Sequence, residues 1–109
     1  MGSIQTKQSF GDVQLHIEWR APFDVVGDGQ NRGNSGVYLR GRYEIQLEYE
    51  PNSKAPPERR MASIYGRIAP NPLPKLTPGE WETFDVTFVG RTLTLVRNGV
   101  TLIDKQEVE

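Results

Sequence analysis

Residues 34–48 read NSGVYLRGRYEIQLE and predict one long β-strand that is entered through a tight glycine turn. Successive side chains of a strand point to opposite faces, so this segment has two different sides. The apolar side carries Val37, Leu39, Tyr43, Ile45 and Leu47. The polar side carries Tyr38, Arg40, Glu44, Gln46 and Glu48. A guanidinium, carboxylates, a carboxamide and a phenol together suit a polyhydroxylated ligand such as a sugar, and a charged solvent-facing side is the alternative.

A second segment with the same arrangement lies at residues 13–20, VQLHIEWR. Its apolar side ends in Trp19, which we expect in the core, and its polar side includes His16 and Glu18. We expect the polar sides of the two segments to lie next to each other on one concave surface. His16 is the natural candidate for a base near neutral pH, because its unperturbed pKa is close to that range. A surface histidine without a function is the alternative.

The remaining segments predict more strands and no helix. Residues 79–89 alternate again, and we expect Trp81 to pack in the core or at a sheet edge, with partial exposure as the alternative. Asn98-Gly99 between residues 91–97 and 100–104 is a strong hairpin signal. Residues 62–68 predict a short strand, and the four prolines of residues 70–78 predict a rigid surface crossing. Five or six short strands with few polar gaps predict an all-β fold, either a β-sandwich or a jelly roll.

Length and composition limit the possible functions. The chain has 109 residues, with 13 basic and 14 acidic side chains, which excludes the strong positive charge typical of nucleic-acid binding. It contains no cysteine and no apolar run long enough for a membrane span. The glycine-rich residues 24–36 lack a phosphate-binding pattern. We expect residues 1–9 to be a tag, leader or edge segment, and residues 10–109 to form a single β-sandwich domain, which could be partial.

Several motifs resemble one known family. These are FGDVQLHIEWR, GQNRGNSGVYLRGRYEIQ, ASIYGRIAP, GEWETFDVTF and NGV, in this order between residues 10 and 103. They resemble the 3-keto-disaccharide hydrolase domain family, which has a concanavalin A-like jelly roll. The resemblance implies a bacterial domain, exported to the periplasm or the cell exterior, that acts on glycosides oxidised to a ketone at sugar carbon 3. Compared with that family, the chain is expected to lack terminal strands.

Cleavage of such a keto sugar needs three groups: a base for the proton at carbon 2, an electrophile for the enolate oxygen and an acid for the leaving group. The predicted base is His16 or Glu44, the predicted anchor is Arg40, and the predicted acid is Tyr65 or Glu48. The predicted substrate-binding residues are Asn34, Tyr38, Gln46 and Glu18. No cofactor is expected, although a divalent metal held by His16, Glu18 and Glu44 is chemically reasonable.

Three other functions remain open at this point. Residues 44–48, EIQLE, are similar to the E-x-D-x-E strand of laminarinase-type retaining glycosidases, but Gln46 replaces the central Asp. Glu44 and Glu48 would lie about 13 Å apart at their Cα atoms in a strand, whereas retaining chemistry needs carboxyl groups about 5 Å apart. A non-catalytic, lectin-like carbohydrate-binding module is the second alternative. The third is a structural fragment whose open sheet edges pair with another copy, which predicts a homo-oligomer.

Overall fold

The computed structural model describes residues 4–8, 10–21, 35–48 and 54–108. This part of the chain is all-β, as predicted. The strands are β1 (Val13–Arg20), β2 (Ser35–Leu39), β3 (Tyr43–Leu47), β4 (Trp81–Val89), β5 (Thr92–Arg97) and β6 (Val100–Glu107). The described residues contain one short 3-10 turn, Pro57–Arg59, and none of their helices is long and apolar enough to cross a membrane.

The larger sheet contains four antiparallel strands in the order β1-β4-β5-β6. The alternating sequence of residues 13–20 forms β1 with the predicted bounds, and β1 pairs along its full length with β4. β5 and β6 are joined at Asn98-Gly99, where both residues have positive φ, 47° and 81°. Positive φ at both central residues is what a two-residue hairpin requires, so the hairpin prediction is confirmed.

The smaller sheet is a hairpin of β2 and β3, and the prediction of one long strand over residues 34–48 is wrong. The chain reverses after Leu39, whose carbonyl accepts a 3.1 Å hydrogen bond from the amide of Arg42. Arg40 and Gly41 have φ values of 57° and 65°, in the left-handed region that favours glycine. Gly41, which interrupts the alternation at its midpoint, was the sequence signal for this turn.

A loop after β3 extends the smaller sheet on its second edge. Ile64 forms bridges with Ile45 and with Ile68, so residues 62–68 make a tight loop instead of the predicted strand. The amide of Gln46 donates to the carbonyl of Ser63 at 3.0 Å. β3 is therefore hydrogen-bonded on both edges, by β2 on one side and by this loop on the other. The proline-rich residues that follow carry no regular structure, as predicted.

The two sheets pack with their apolar sides facing each other, which forms the predicted sandwich. Trp19 packs edge-on against Phe84 with 5.6 Å between ring centroids, whereas Trp81 is 61% exposed. The buried core residues are Leu39, Tyr43, Ile45, Leu47, Met61, Ala62, Ile64, Phe84, Val86, Phe88, Leu93, Leu95, Leu102, Ile103 and Val108. Because β1 and β3 belong to different sheets, their polar sides point in opposite directions. The prediction that these polar sides adjoin is wrong.

One ion pair lies at the end of the core. Glu82 is 2% exposed, and its carboxylate accepts two hydrogen bonds from the guanidinium of Arg97, at 2.5 and 3.1 Å. Arg97 also donates to the carbonyl of Lys75 at 2.7 Å, which attaches the proline-rich crossing to β5. Removing one partner of a buried pair leaves a charge that is neither solvated nor compensated.

We therefore expect Glu82→Gln to lower the free energy of unfolding by about 3 kcal/mol. Glu107→Gln is the matched control, because Glu107 pairs with Arg91 at 2.7 Å while both side chains are 66% exposed. Such exposed pairs contribute about 0–1 kcal/mol. Urea unfolding of both variants and the wild type measures the difference, and equal losses would show that burial of the Glu82 pair does not matter.

Candidate functional site

The polar face is defined here as the side of the smaller sheet that points away from the hydrophobic core. The loop after β3 also contributes to the polar face. Ile64 of this loop faces the core, so Ser63 and Tyr65, its neighbours along the chain, lie on the opposite side. Its members are Gly36, Tyr38, Glu44, Gln46, Glu48, Ser63 and Tyr65. Five of these residues were predicted from the sequence as site residues, and the structure brings them onto one surface.

Glu44 lies in the middle of a row that crosses the polar face. It is directly opposite Tyr38 in β2, and the Tyr38 hydroxyl donates to Glu44 Oε1 at 3.4 Å. On the other edge of β3, the amide of Tyr65 donates to the carbonyl of Glu44 at 2.8 Å. Glu44 is thus partly buried, and its neighbours on the two edges of β3 are residues with phenol side chains. A carboxylate can accept a proton, and a phenol can donate one.

The next row contains Gly36, Gln46 and Ser63. Gly36 is opposite Gln46 in β2, and Ser63 bonds to Gln46 through the backbone from the other side. The carboxylate of Glu44 lies over Gly36, where a Cβ atom would collide with Glu44 Oε2. The absence of a side chain at Gly36 therefore allows the Glu44 carboxylate to lean toward the second row.

Exposure decreases along the polar face. Tyr38 is 63% exposed and Glu44 is partly buried, whereas Gln46 and Glu48 are only 1% and 2% exposed and Ser63 is fully buried. Gln46 Nε2 and Ser63 Oγ have no hydrogen-bond partner among the described residues. A buried polar group without a partner costs about 1–3 kcal/mol. The inner end of the polar face therefore holds two buried polar groups whose hydrogen-bonding capacity is not used among the described residues.

Arg40 does not lie on the polar face. From the turn between β2 and β3, its guanidinium reaches the carbonyls of Gly11 at 3.3 Å and Gly90 at 2.5 Å. It lies 3.5 Å from a carboxylate oxygen of Asp12 and 3.8 Å from the ring centroid of Phe88. These contacts connect the smaller sheet to the larger one. The structure thus gives Arg40 a role in holding the sheets together and not the predicted position beside Glu44.

His16 and Glu18 lie on the outer face of the larger sheet, on the opposite side of the sandwich from Glu44. His16 Nδ1 is 2.6 Å from Asp85, and Nε2 is 3.0 Å from Glu18. The hydrogen bond to Asp85, and then the one to Glu18, raise the pKa of His16 above its ordinary value of 6.5. Both ring nitrogens have carboxylate partners, and the protonated form is favoured. This arrangement does not suit a general base, and the prediction that His16 shares a site with Glu44 is wrong.

The remaining predicted site features have different outcomes. The separation of His16 and Glu18 from Glu44 rules out the predicted three-residue metal site, and no group of three His, Cys, Asp or Glu side chains in the described ranges could hold a metal ion. Asn34 and residues 24–33 lie outside the described residues. Sequence reasoning missed Ser63, because the alternation of a predicted strand gave no reason to expect a buried hydroxyl without a partner.

Comparisons with known proteins identify the family. The family model described as a 3-keto-alpha-glucoside-1,2-lyase-like domain matches residues 1–109. The chain is similar to the crystal structure of a candidate glycosyl hydrolase from Parabacteroides distasonis, with 34% identity and a TM-score of 0.87 over 95% of this chain and 49% of that one. The chain therefore spans about half the length of this relative. No match is found among curated proteins.

A second structure from Parabacteroides distasonis, also of a candidate glycosyl hydrolase, has the same fold. Its TM-score is 0.54, its identity is 19%, and the match covers 84% of this chain and 55% of that one. At this level of identity the similarity concerns the fold only. The jelly-roll prediction is confirmed by the two facing antiparallel sheets and by these neighbours.

The first prediction from this site concerns Gly36. Gly36→Ala should displace the Glu44 carboxylate, since the new methyl group occupies its position and the carboxylate is the movable end of a flexible side chain. We expect the free energy of unfolding to change by less than about 1 kcal/mol. The carboxyl ¹³C chemical shift of Glu44 should change clearly. Gly11→Ala is the control, because nothing lies within 4 Å of its added Cβ. An unchanged Glu44 signal in Gly36→Ala would contradict the prediction.

The raised pKa of His16, on the larger sheet, predicts that the stability of the protein depends on pH. Because its folded-state pKa is raised, its stabilising contribution is complete below the unfolded pKa of about 6.5 and is lost as the pH rises through the folded pKa. The stability advantage of the wild type over His16→Gln should therefore be largest below pH 6.5 and shrink as the pH rises above it. Titration of the imidazole by NMR should show the pKa falling more in Asp85→Asn than in Glu18→Gln. A folded pKa at or below 6.5 would refute this explanation.

Proposed function

Because the chain belongs to the family of 3-keto-alpha-glucoside-1,2-lyase-like domains, we propose that it cleaves the glycosidic bond of glycosides that carry a ketone at sugar carbon 3. The observation that carries this proposal is the position of Glu44. Its carboxylate accepts a hydrogen bond from the Tyr38 phenol and lies over Gly36, and its backbone carbonyl accepts one from the amide of Tyr65. Carboxylate, phenol, amide and hydroxyl groups on one surface match the hydroxyl groups of a sugar.

The reaction begins with removal of a proton. The ketone acidifies the hydrogen at carbon 2, and a base removes it to give an enolate across carbons 2 and 3. The enolate electrons then form a double bond between carbons 2 and 1, the ketone is restored, and the bond from carbon 1 to the glycosidic oxygen breaks. A general acid protonates the departing oxygen. The products are the released sugar, which carries a free hydroxyl group where the glycosidic bond was, and an unsaturated keto sugar. Water can then add to the unsaturated keto sugar.

Glu44 is the proposed base in this reaction. It is partly buried yet reachable from the exposed Tyr38 end of the polar face. Tyr65 is the proposed acid, since it is adjacent to Glu44 on the pairing edge and carries a phenol that can deliver a proton. Glu48 remains a second proposed acid deeper on the same face, and Tyr38 is proposed to hold a sugar hydroxyl.

To test the proposal, the protein is incubated with 3-keto-trehalose or 3-keto-sucrose and the released sugar is measured over time. We expect turnover of the keto sugars and none of trehalose, which lacks the acidified hydrogen. Glu44→Gln should lower kcat by about 100-fold or more, because it removes the proton acceptor. Tyr65→Phe should slow release of the leaving sugar. Glu107→Gln on the larger sheet is the control and should retain wild-type turnover.

Three results separate this function from its alternatives. Exchange of the carbon 2 hydrogen with deuterated solvent, reduced in Glu44→Gln, would support the enolate step and the role of Glu44. Binding of keto sugars without any product would favour the lectin-like module. Wild-type kcat in Glu44→Gln, with folding intact by circular dichroism, would show that another group is the base.

A further inference from the structure

Gln46 and Ser63 form an unusual pair at the inner end of the polar face. They are opposed across the edge of β3, where the Gln46 amide donates to the Ser63 carbonyl at 3.0 Å. Their side chains are 1% and 0% exposed, yet Gln46 Nε2 and Ser63 Oγ have no hydrogen-bond partner in the described part of the chain. Native proteins satisfy most buried polar groups, so two adjacent exceptions call for an explanation.

The chemistry of the two groups specifies their partner. An amide nitrogen is only a donor, and a serine hydroxyl can donate one hydrogen bond. An oxygen that has two lone pairs and no proton of its own satisfies both donors at once. A ketone oxygen has this character, and it gains negative charge when a neighbouring carbon loses its proton. We infer that Gln46 Nε2 and Ser63 Oγ together bind the ketone oxygen of the substrate and stabilise the enolate that forms there.

The position of this donor pair relative to Glu44 fits that role. Gln46 is two residues from Glu44 on the same side of β3, so their Cα atoms are about 6.6 Å apart. In the substrate, the carbon 2 hydrogen and the ketone oxygen are on neighbouring ring atoms. The base contacts the first and the donor pair contacts the second, each at a distance of about 3 Å. The Glu44 carboxylate also leans over Gly36, toward the row that contains Gln46. The spacing of the carboxylate and the donor pair therefore matches that of the carbon 2 hydrogen and the ketone oxygen on one sugar ring.

This inference rests on the proposed function, and its test uses Ser63→Ala and Gln46→Met. Each variant removes one donor, and we expect kcat on 3-keto-trehalose to fall by about 100-fold with a smaller change in KM. Tm should stay the same or rise, because each substitution removes a buried polar group without a partner. Gln14→Met and Thr87→Ala are the matched controls, since this pair is opposed in the larger sheet, and both should keep wild-type kcat.

Other results would overturn the inference. A wild-type kcat in both variants would refute the donor pair while leaving the proposed function intact. A fall in Tm with no change in kcat would indicate that the two groups hold a structural water. If kcat falls equally in the control variants, the effect does not arise from the donor pair.

Binding measurements keep the inference testable if the wild type does not turn over keto sugars. Calorimetry then compares the affinity for 3-keto-trehalose with that for trehalose in the wild type and in both variants. A loss of affinity for the keto sugar alone would support the donor pair even though the proposed reaction had failed. An equal loss for both sugars, or no loss, would refute recognition of a ketone.

Discussion

The structure depends on β3 being hydrogen-bonded on both edges and largely buried. Both of its edges are hydrogen-bonded, by β2 and by the loop around Ile64, and every residue of the strand except the partly exposed Glu44 is buried. Strands buried on two faces are usually apolar on both. In β3 only the face with Ile45 is apolar, and the other carries Gln46 and Glu48. The hydrophobic core positions the strand, and the strand then holds polar side chains away from water.

Burying these polar groups has a cost that the core must offset. Gln46 Nε2 and Ser63 Oγ lose hydrogen bonds to water and gain none among the described residues. Next to Ser63, Ala62 has a φ of 70° in a tight turn, a conformation that an alanine adopts only under strain. Unsatisfied and strained groups that persist beside a partly buried carboxylate are typical of sites organised for a ligand.

Similar side chains have different roles in the two sheets. Asp85 and Glu18 pair with the exposed imidazole of His16 on the outer face of the larger sheet and raise its pKa. The buried Glu82 pairs with the partly buried guanidinium of Arg97 at the end of the core. Glu44 is partly exposed and accepts a hydrogen bond from the Tyr38 phenol. The charge is the same in each carboxylate, but the partners and the exposure differ, and these decide whether the group stabilises the fold or is available for chemistry.

The sequence by itself determined the β class, the bounds of β1, the Asn98-Gly99 hairpin and the shared face of Tyr38, Glu44, Gln46 and Glu48. Strand periodicity and turn residues are local properties, so they can be read from neighbouring residues. Only the tertiary structure decided that the chain reverses at Arg40 and Gly41, that His16 and Glu44 lie on opposite sides of the sandwich, and that Ser63 adjoins Gln46. Alternation predicts which side chains share a face within one strand. Which faces of different strands meet depends on the pairing of segments that are distant in the sequence.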